Sequence, residues 1–130
     1  MRILRIHSEV DPTIIQKQLD GFEALALGPK TIEALEEVKL AEYLAKKAFK
    51  NRKNIANKFK YEFLLWLSGK RDIKSAMEET KPRGKKFLVV ILSGNENEIL
   101  KKLNAKKIGL KIRKNADSLR LEKISLSRLK

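Results

Sequence analysis

IANKFKYEFLLWLSGKR, residues 55–71, with Asn54 in front of it, is the stretch from which the rest of the chain can be read. At about 100° per residue, Ile55, Ala56, Phe59, Phe63, Trp66 and Leu67 share one wide face, while Tyr61, Leu64 and Leu65 spread apolar surface round the other sides. The spacing predicts a central helix from Asn54 to Ser68 whose second half is buried all round. Asn54 is the expected N-cap, because its side-chain oxygen can accept a free backbone N–H. Gly69 is the expected stop, because glycine tolerates the left-handed conformation just past a helix end. Across the entry to this helix, residues 46–60, KKAFKNRKNIANKFK, hold seven Lys or Arg and no acid. A very basic entry therefore leads into a very apolar body, and a polyanion is the natural thing to meet the entry.

The chain has 130 residues, the length of one domain that can bury a core without disulfides or a structural metal, so a single domain over 1–130 is expected. With no cysteine there is no disulfide framework and no thiolate or Cys-ligated zinc site, and a lone histidine, His7, cannot make a cluster. The longest apolar runs, FLLWL and FLVVIL, are far short of the roughly 20 residues that cross a bilayer. MRILRIHSEVDP has no signal-peptide architecture, so a soluble cytoplasmic protein is expected. Thirty basic against sixteen acidic residues give a formal charge of +14, which favours nucleic acid over an anionic membrane or an acidic partner. A heat-adapted surface would also be rich in charge, but it predicts balance between the signs.

Read in order, RILRI at residues 2–6 makes a strand, and Asp11 caps a short helix that begins at Pro12 and runs to Leu19. Residues 22–27, FEALAL, lie between glycines and read as a strand. From Thr31, the expected cap, Ile32, Leu35, Val38, Ala41, Ala45 and Ala48 recur at helical spacing as far as Lys50, with acids early and lysines late, as the helix dipole prefers. Asp72 caps a short helix over 73–79, and residues 87–92, FLVVIL, form a strand interior to the sheet. Asn95, with Glu98 three residues on, starts another helix; Ile108, Leu110 and Ile112 alternate as a strand; and a last helix is capped at Asn115 or Asp117. The order β-α-β-α-α-α-β-α-β-α makes the class α/β, mixed α+β, with about four strands packed against several helices around a buried central helix.

Catalytic machinery is not visible. No phosphate-cradling loop, dinucleotide fingerprint or nucleophile elbow occurs, and His7 beside a strand end reads as an ordinary boundary residue. Asp72 is explained as a cap, and Glu78 and Glu79 as a solvated face, so neither a carboxylate pair nor a metal site is expected. The basic clusters survive better: residues 46–60, the loop Lys81-Arg83-Lys85-Lys86, and residues 101–114 together supply enough cations for phosphate contacts driven by counterion release. Asn54 and Asn57 sit where they can read base edges; Phe49 and Phe59 would stack on bases if exposed, although burial is the expectation for both.

Ile55-Ala56-Asn57-x-Phe59, then Glu62-x-Leu64-Leu65 and Ser68-Gly69-x-Arg71-x-Ile73-x-x-Ala76, resemble the central motif of the small tRNA-binding subunit of the KEOPS complex, the Cgi/PRPK-binding-protein family. Residues 121–126, LEKISL, are similar to that family's last helix. The resemblance implies a non-catalytic α/β subunit that binds the complex's kinase-like ATPase and helps recruit tRNA by its 3′ CCA end for threonylcarbamoyladenosine synthesis. It implies no cofactor, metal, membrane or small-molecule substrate.

Lys50, Arg52, Lys53, Asn57, Lys58 and Arg71 are the expected RNA contacts, with Arg83 and Lys85 as second choices. Arg71 has a structural reading as well, bonding the last carbonyls of the central helix. Leu119, Leu121, Ile124, Leu126 and Leu129 are too many for one narrow helical stripe, so some are expected to stay exposed as the surface for the kinase-like subunit. The alternatives are a purely protein-binding regulator of a kinase-like ATPase with no RNA contact, and a small RNA-modifying hydrolase for which no acid or base is found.

Overall fold

The computed structural model describes residues 1–128 and parts them into two compact units, each built from two separated stretches: 1–31 with 80–111, and 32–79 with 112 onward. The chain is mixed α/β, with ten elements in the order expected: β1 (Arg2–Ser8), α1 (Pro12–Gln18), β2 (Glu23–Leu27), α2 (Leu35–Lys50), α3 (Phe59–Ser68), α4 (Ile73–Thr80), β3 (Lys86–Ser93), α5 (Glu96–Lys102), β4 (Ala105–Ile108) and α6 (Ser118–Ser125).

The first unit is an antiparallel sheet in the order β2-β3-β1-β4. Strand β3 is interior, as its unbroken apolar run predicts; residues 87–91 are buried on both faces. Along β1 every second residue is buried, and Leu4 and Ile6 join Ala24, Ala26, Phe87, Val89 and Ile91 beneath α1 and α5, which contribute Ile15 and Ile99, with Leu19 just past α1 and Leu103 just past α5. Ser8 ends that row, and its buried hydroxyl donates to the Leu103 carbonyl at 2.6 Å. Asp11 caps α1 by accepting from Thr13 N–H, and Asn95 caps α5 by accepting from Glu98 N–H, both at the expected positions. Strand β4 lies over 105–108, earlier than the alternation of Ile108, Leu110 and Ile112 suggests; β1 has partners for it only from Arg5 to Ser8.

The second unit is helical, with α2, α3 and α6 mutually packed. Ala41, Ala45 and Ala48 line the buried stripe of α2, and residues 62–68 of α3 are buried on every side, as its apolar circumference predicts. Both of these helices start later than their local sequence suggests. Thr31 is not the cap of α2. Its N–H turns back to Gly28, and the first N–H groups of α2 are met by distant carbonyls, Leu35 N–H by Arg113 at 2.8 Å and Glu36 N–H by Lys114 at 3.1 Å. Glu37 completes this start, its Oε2 accepting from Ala34 N–H at 2.8 Å and Glu33 N–H at 3.0 Å. Asn54 is likewise not the cap of α3, because its amide donates to the Ala56 carbonyl and the helix begins only at Phe59.

Gly69 ends α3 in the left-handed conformation, φ 72°, with its N–H on Leu65 and Trp66 carbonyls. Asp72 caps α4 by accepting from Ser75 N–H, and Asp117, rather than Asn115, caps α6 by accepting from Arg120 N–H. Among the described residues, no helix is long and apolar enough to cross a membrane.

Candidate nucleic-acid interface

The segment between α2 and α3, residues 51–58, is a loop rather than the first turns of a helix. Its shape follows from its neighbours. Lys53 N–H returns to the Ala48 carbonyl at 2.8 Å, and Arg52 takes a left-handed φ of 56° to make that reversal, at the cost that conformation carries for a residue with a side chain. Farther on, Glu62 reaches out of α3, and its Oε1 accepts from Ile55 N–H at 2.9 Å and Ala56 N–H at 3.0 Å. A loop pinned in this way turns its long side chains outward.

Lys50, Arg52, Lys53, Asn57 and Lys58 are all exposed along it. The four cations have no side-chain hydrogen bond or ion pair among the described residues, although the chain forms such pairs elsewhere. Repulsion among them is therefore not offset by neighbouring acids, and their charge faces solvent. Ile55, expected on the buried face of a helix, is exposed in the loop instead. Phe49 and Phe59 are half-buried and meet edge to face with centroids 5.8 Å apart, so the two rings pack on each other at the base of the loop. Lys60, counted with this basic run, is buried and lies 5.3 Å from the Tyr61 ring.

Arg71 is exposed, and its Nε donates to the Ser127 carbonyl at 3.4 Å; the Leu65 and Trp66 carbonyls of α3 accept from Gly69 N–H. Arg83 and Lys85 belong to the sheet unit, both exposed; Lys85 Nζ is committed to Glu9 at 2.7 Å, with His7 3.5 Å from the same carboxylate. That contact draws the Glu9 carboxyl below its usual range. Of the basic segment 101–114, Lys107 pairs with Glu96, which Arg2 also approaches.

The apolar residues of the C-terminal segment separate by face. Leu119 and Leu126, seven apart and so on one side of α6, are 75% and 51% exposed. Leu121 is half-buried, and Ile124 is only 1% exposed, which makes Ile124 a core residue and removes it from the expected partner surface. Leu129 lies outside the described residues.

Glu62, Arg128, Glu37 and Arg120 organise the helical unit, and none was singled out for a role by local pattern. Glu62 is fully buried, with Trp66 Nε1 donating to its Oε2 at 3.1 Å and Arg128 Nη1 at 2.7 Å. The signal was present: a carboxylate between Tyr61 and Phe63, on a helix apolar all round, has to find donors inside the protein. Among the described residues, no three His, Cys, Asp or Glu side chains group as a metal site would require. Comparison of the chain with protein-family models and with curated proteins finds no match.

Proposed function

We propose that this chain is a non-catalytic RNA-binding subunit that recruits tRNA by its single-stranded 3′ CCA end to a kinase-like ATPase of the KEOPS type, in the cytoplasm. The observation that carries the reading is the loop between α2 and α3, where Lys50, Arg52, Lys53 and Lys58 are exposed beside Asn57 and unpaired among the described residues. Cations left without acids on a pinned backbone suit phosphates, and an adjacent amide suits a base edge. The motif resemblance over residues 55–76 selects tRNA among nucleic acids and selects the kinase-like partner; charge alone selects neither. The exposed pair Leu119 and Leu126 is the proposed partner surface.

Titration with tRNA carrying or lacking its CCA end tests this reading. Binding should depend on the CCA end and fall steeply with salt. Four neutralised phosphates at about 0.7 each give a log–log slope near three, a loss of roughly fifty-fold between about 50 and 200 mM salt. Equal affinity for both RNAs would remove the 3′-end reading. No RNA binding, with retained capture of the kinase-like subunit, would leave a protein-binding regulator.

A further inference from the structure

The C-terminal turn reaches both segments that carry the proposed RNA contacts of the helical unit. Arg128 stacks over the Trp66 indole with its guanidinium carbon 4.1 Å from the ring centre, and its Nη1 donates to Glu62 Oε2 at 2.7 Å. The other oxygen of that carboxylate holds Ile55 and Ala56 N–H, and Arg128 Nη1 also lies 3.4 Å from the Lys53 carbonyl. One residue earlier, the Ser127 carbonyl accepts from Arg71.

We infer that Arg128 is a positioning residue for the RNA-facing loop: from the C-terminal turn it fixes Glu62, and through Glu62 and the Lys53 carbonyl it sets the path of residues 53–57. This rests on the RNA-binding reading of the loop, although the mechanical link itself does not. The Arg128 side chain is only 15% exposed and is spent on Glu62 and Trp66, so it acts through the loop rather than on phosphate. Its Nε and Nη2 are buried with no hydrogen-bond partner among the described residues. A buried guanidinium with unsatisfied donors is a poor way to gain stability, since an apolar side chain of similar size would avoid that desolvation. What it supplies is geometry: a planar cation held on one side by an indole face reaches a carboxylate and a carbonyl together. Without it, Glu62 keeps its backbone bonds and the Trp66 Nε1 donor but loses the cation on its second oxygen, the Lys53 carbonyl loses its donor, and residues 53–57 are held less firmly before RNA arrives. Binding then has to include the cost of ordering them.

The test compares Arg128→Lys with Arg128→Ala in the full chain, reading tRNA affinity, its salt slope, and amide hydrogen exchange at Ile55 and Ala56. Lysine keeps a cation beside Glu62 and so preserves the fold should alanine fail to fold, but it lacks the planar guanidinium that lies over the Trp66 ring. Exchange at both amides should quicken, and affinity should fall about tenfold, the order expected when a preorganised loop must be ordered on binding. The salt slope should stay as in the parent, because no phosphate contact is removed, whereas Lys53→Glu should lower it by at least about 0.7. Unchanged exchange in Arg128→Lys overturns the positioning role. A slope that falls with affinity also overturns it, making Arg128 a phosphate contact. If the parent binds no RNA, the functional reading fails, while the exchange measurement still decides whether Arg128 fixes the loop.

Discussion

Arg120 of α6 donates through Nε to Glu37 Oε1 at 2.7 Å, while the other oxygen of the same carboxylate holds the backbone at the start of α2. A single side chain, 2% exposed, thus closes a helix end and ties it to a segment more than eighty positions away. Glu33 adds to the arrangement, lying 3.4 Å from Arg120 and 3.3 Å from Arg113. Glu37→Ala should cost about 2–3 kcal/mol in urea denaturation, because two N–H groups lose their acceptor and Arg120 its buried partner. A loss below about 0.5 kcal/mol would mean that water replaces the carboxylate freely.

Gly69 offers a sharper test of packing within the helical unit. A Cβ there would sit 3.1 Å from Lys123 Cγ and 3.2 Å from the Lys123 carbonyl oxygen, on a backbone with φ 72°. The left-handed conformation alone costs a side chain about 1–2 kcal/mol, and the Lys123 carbonyl can move only if α6 moves. Gly69→Ala should therefore destabilise by at least that amount, read from the denaturation midpoint.

Asp72 should leave a signature in pH. Its carboxyl is held below the ordinary 3.8, chiefly by Ser75 N–H and then by the Ser75 hydroxyl, so the folded state favours the ionised form. The contribution is complete above 3.8 and disappears as pH falls through the lower folded value. The parent's thermal midpoint should exceed that of Asp72→Ala at neutral pH, and the gap should close in strong acid. A gap independent of pH would show that the cap works without its charge.

For the proposed RNA-binding loop, Lys53→Glu with Lys58→Glu should weaken tRNA binding and lower the salt slope by at least about 1.4, at about 0.7 per lost cation. Both side chains are exposed and unpaired among the described residues, so the thermal midpoint should not fall. Affinity that survives the double reversal would place the contacts on another cluster.

Leu126→Glu should remain folded, given the exposure of that residue, and should fail to co-elute with the kinase-like subunit in gel filtration. Ile124→Ala, two residues earlier, should instead cost about 2–4 kcal/mol of stability, since it empties a buried site. Normal co-elution of Leu126→Glu would move the partner surface off α6.

Elements whose signals are local can be read from the residues alone. The short run RILRI marked β1, an unbroken apolar run marked β3, an apolar circumference marked the body of α3, and Asp11, Gly69, Asp72 and Asn95 placed helix ends correctly because each acts within four residues of the group it satisfies. The exposed cations of residues 50–58 were legible for the same reason. Where α2 and α3 begin depends on contacts across the fold, because the N–H groups at their starts are met by Arg113, Lys114, Glu37 and Glu62 instead of by Thr31 and Asn54. The same holds for which of the C-terminal apolar residues face the core and for the grip of Arg128 on Glu62, seventy-five residues after the loop it approaches at Lys53. A backbone donor takes whichever acceptor the packed chain brings nearest, and a buried carboxylate takes whichever cation the packed chain brings to it; sequence distance does not enter either choice.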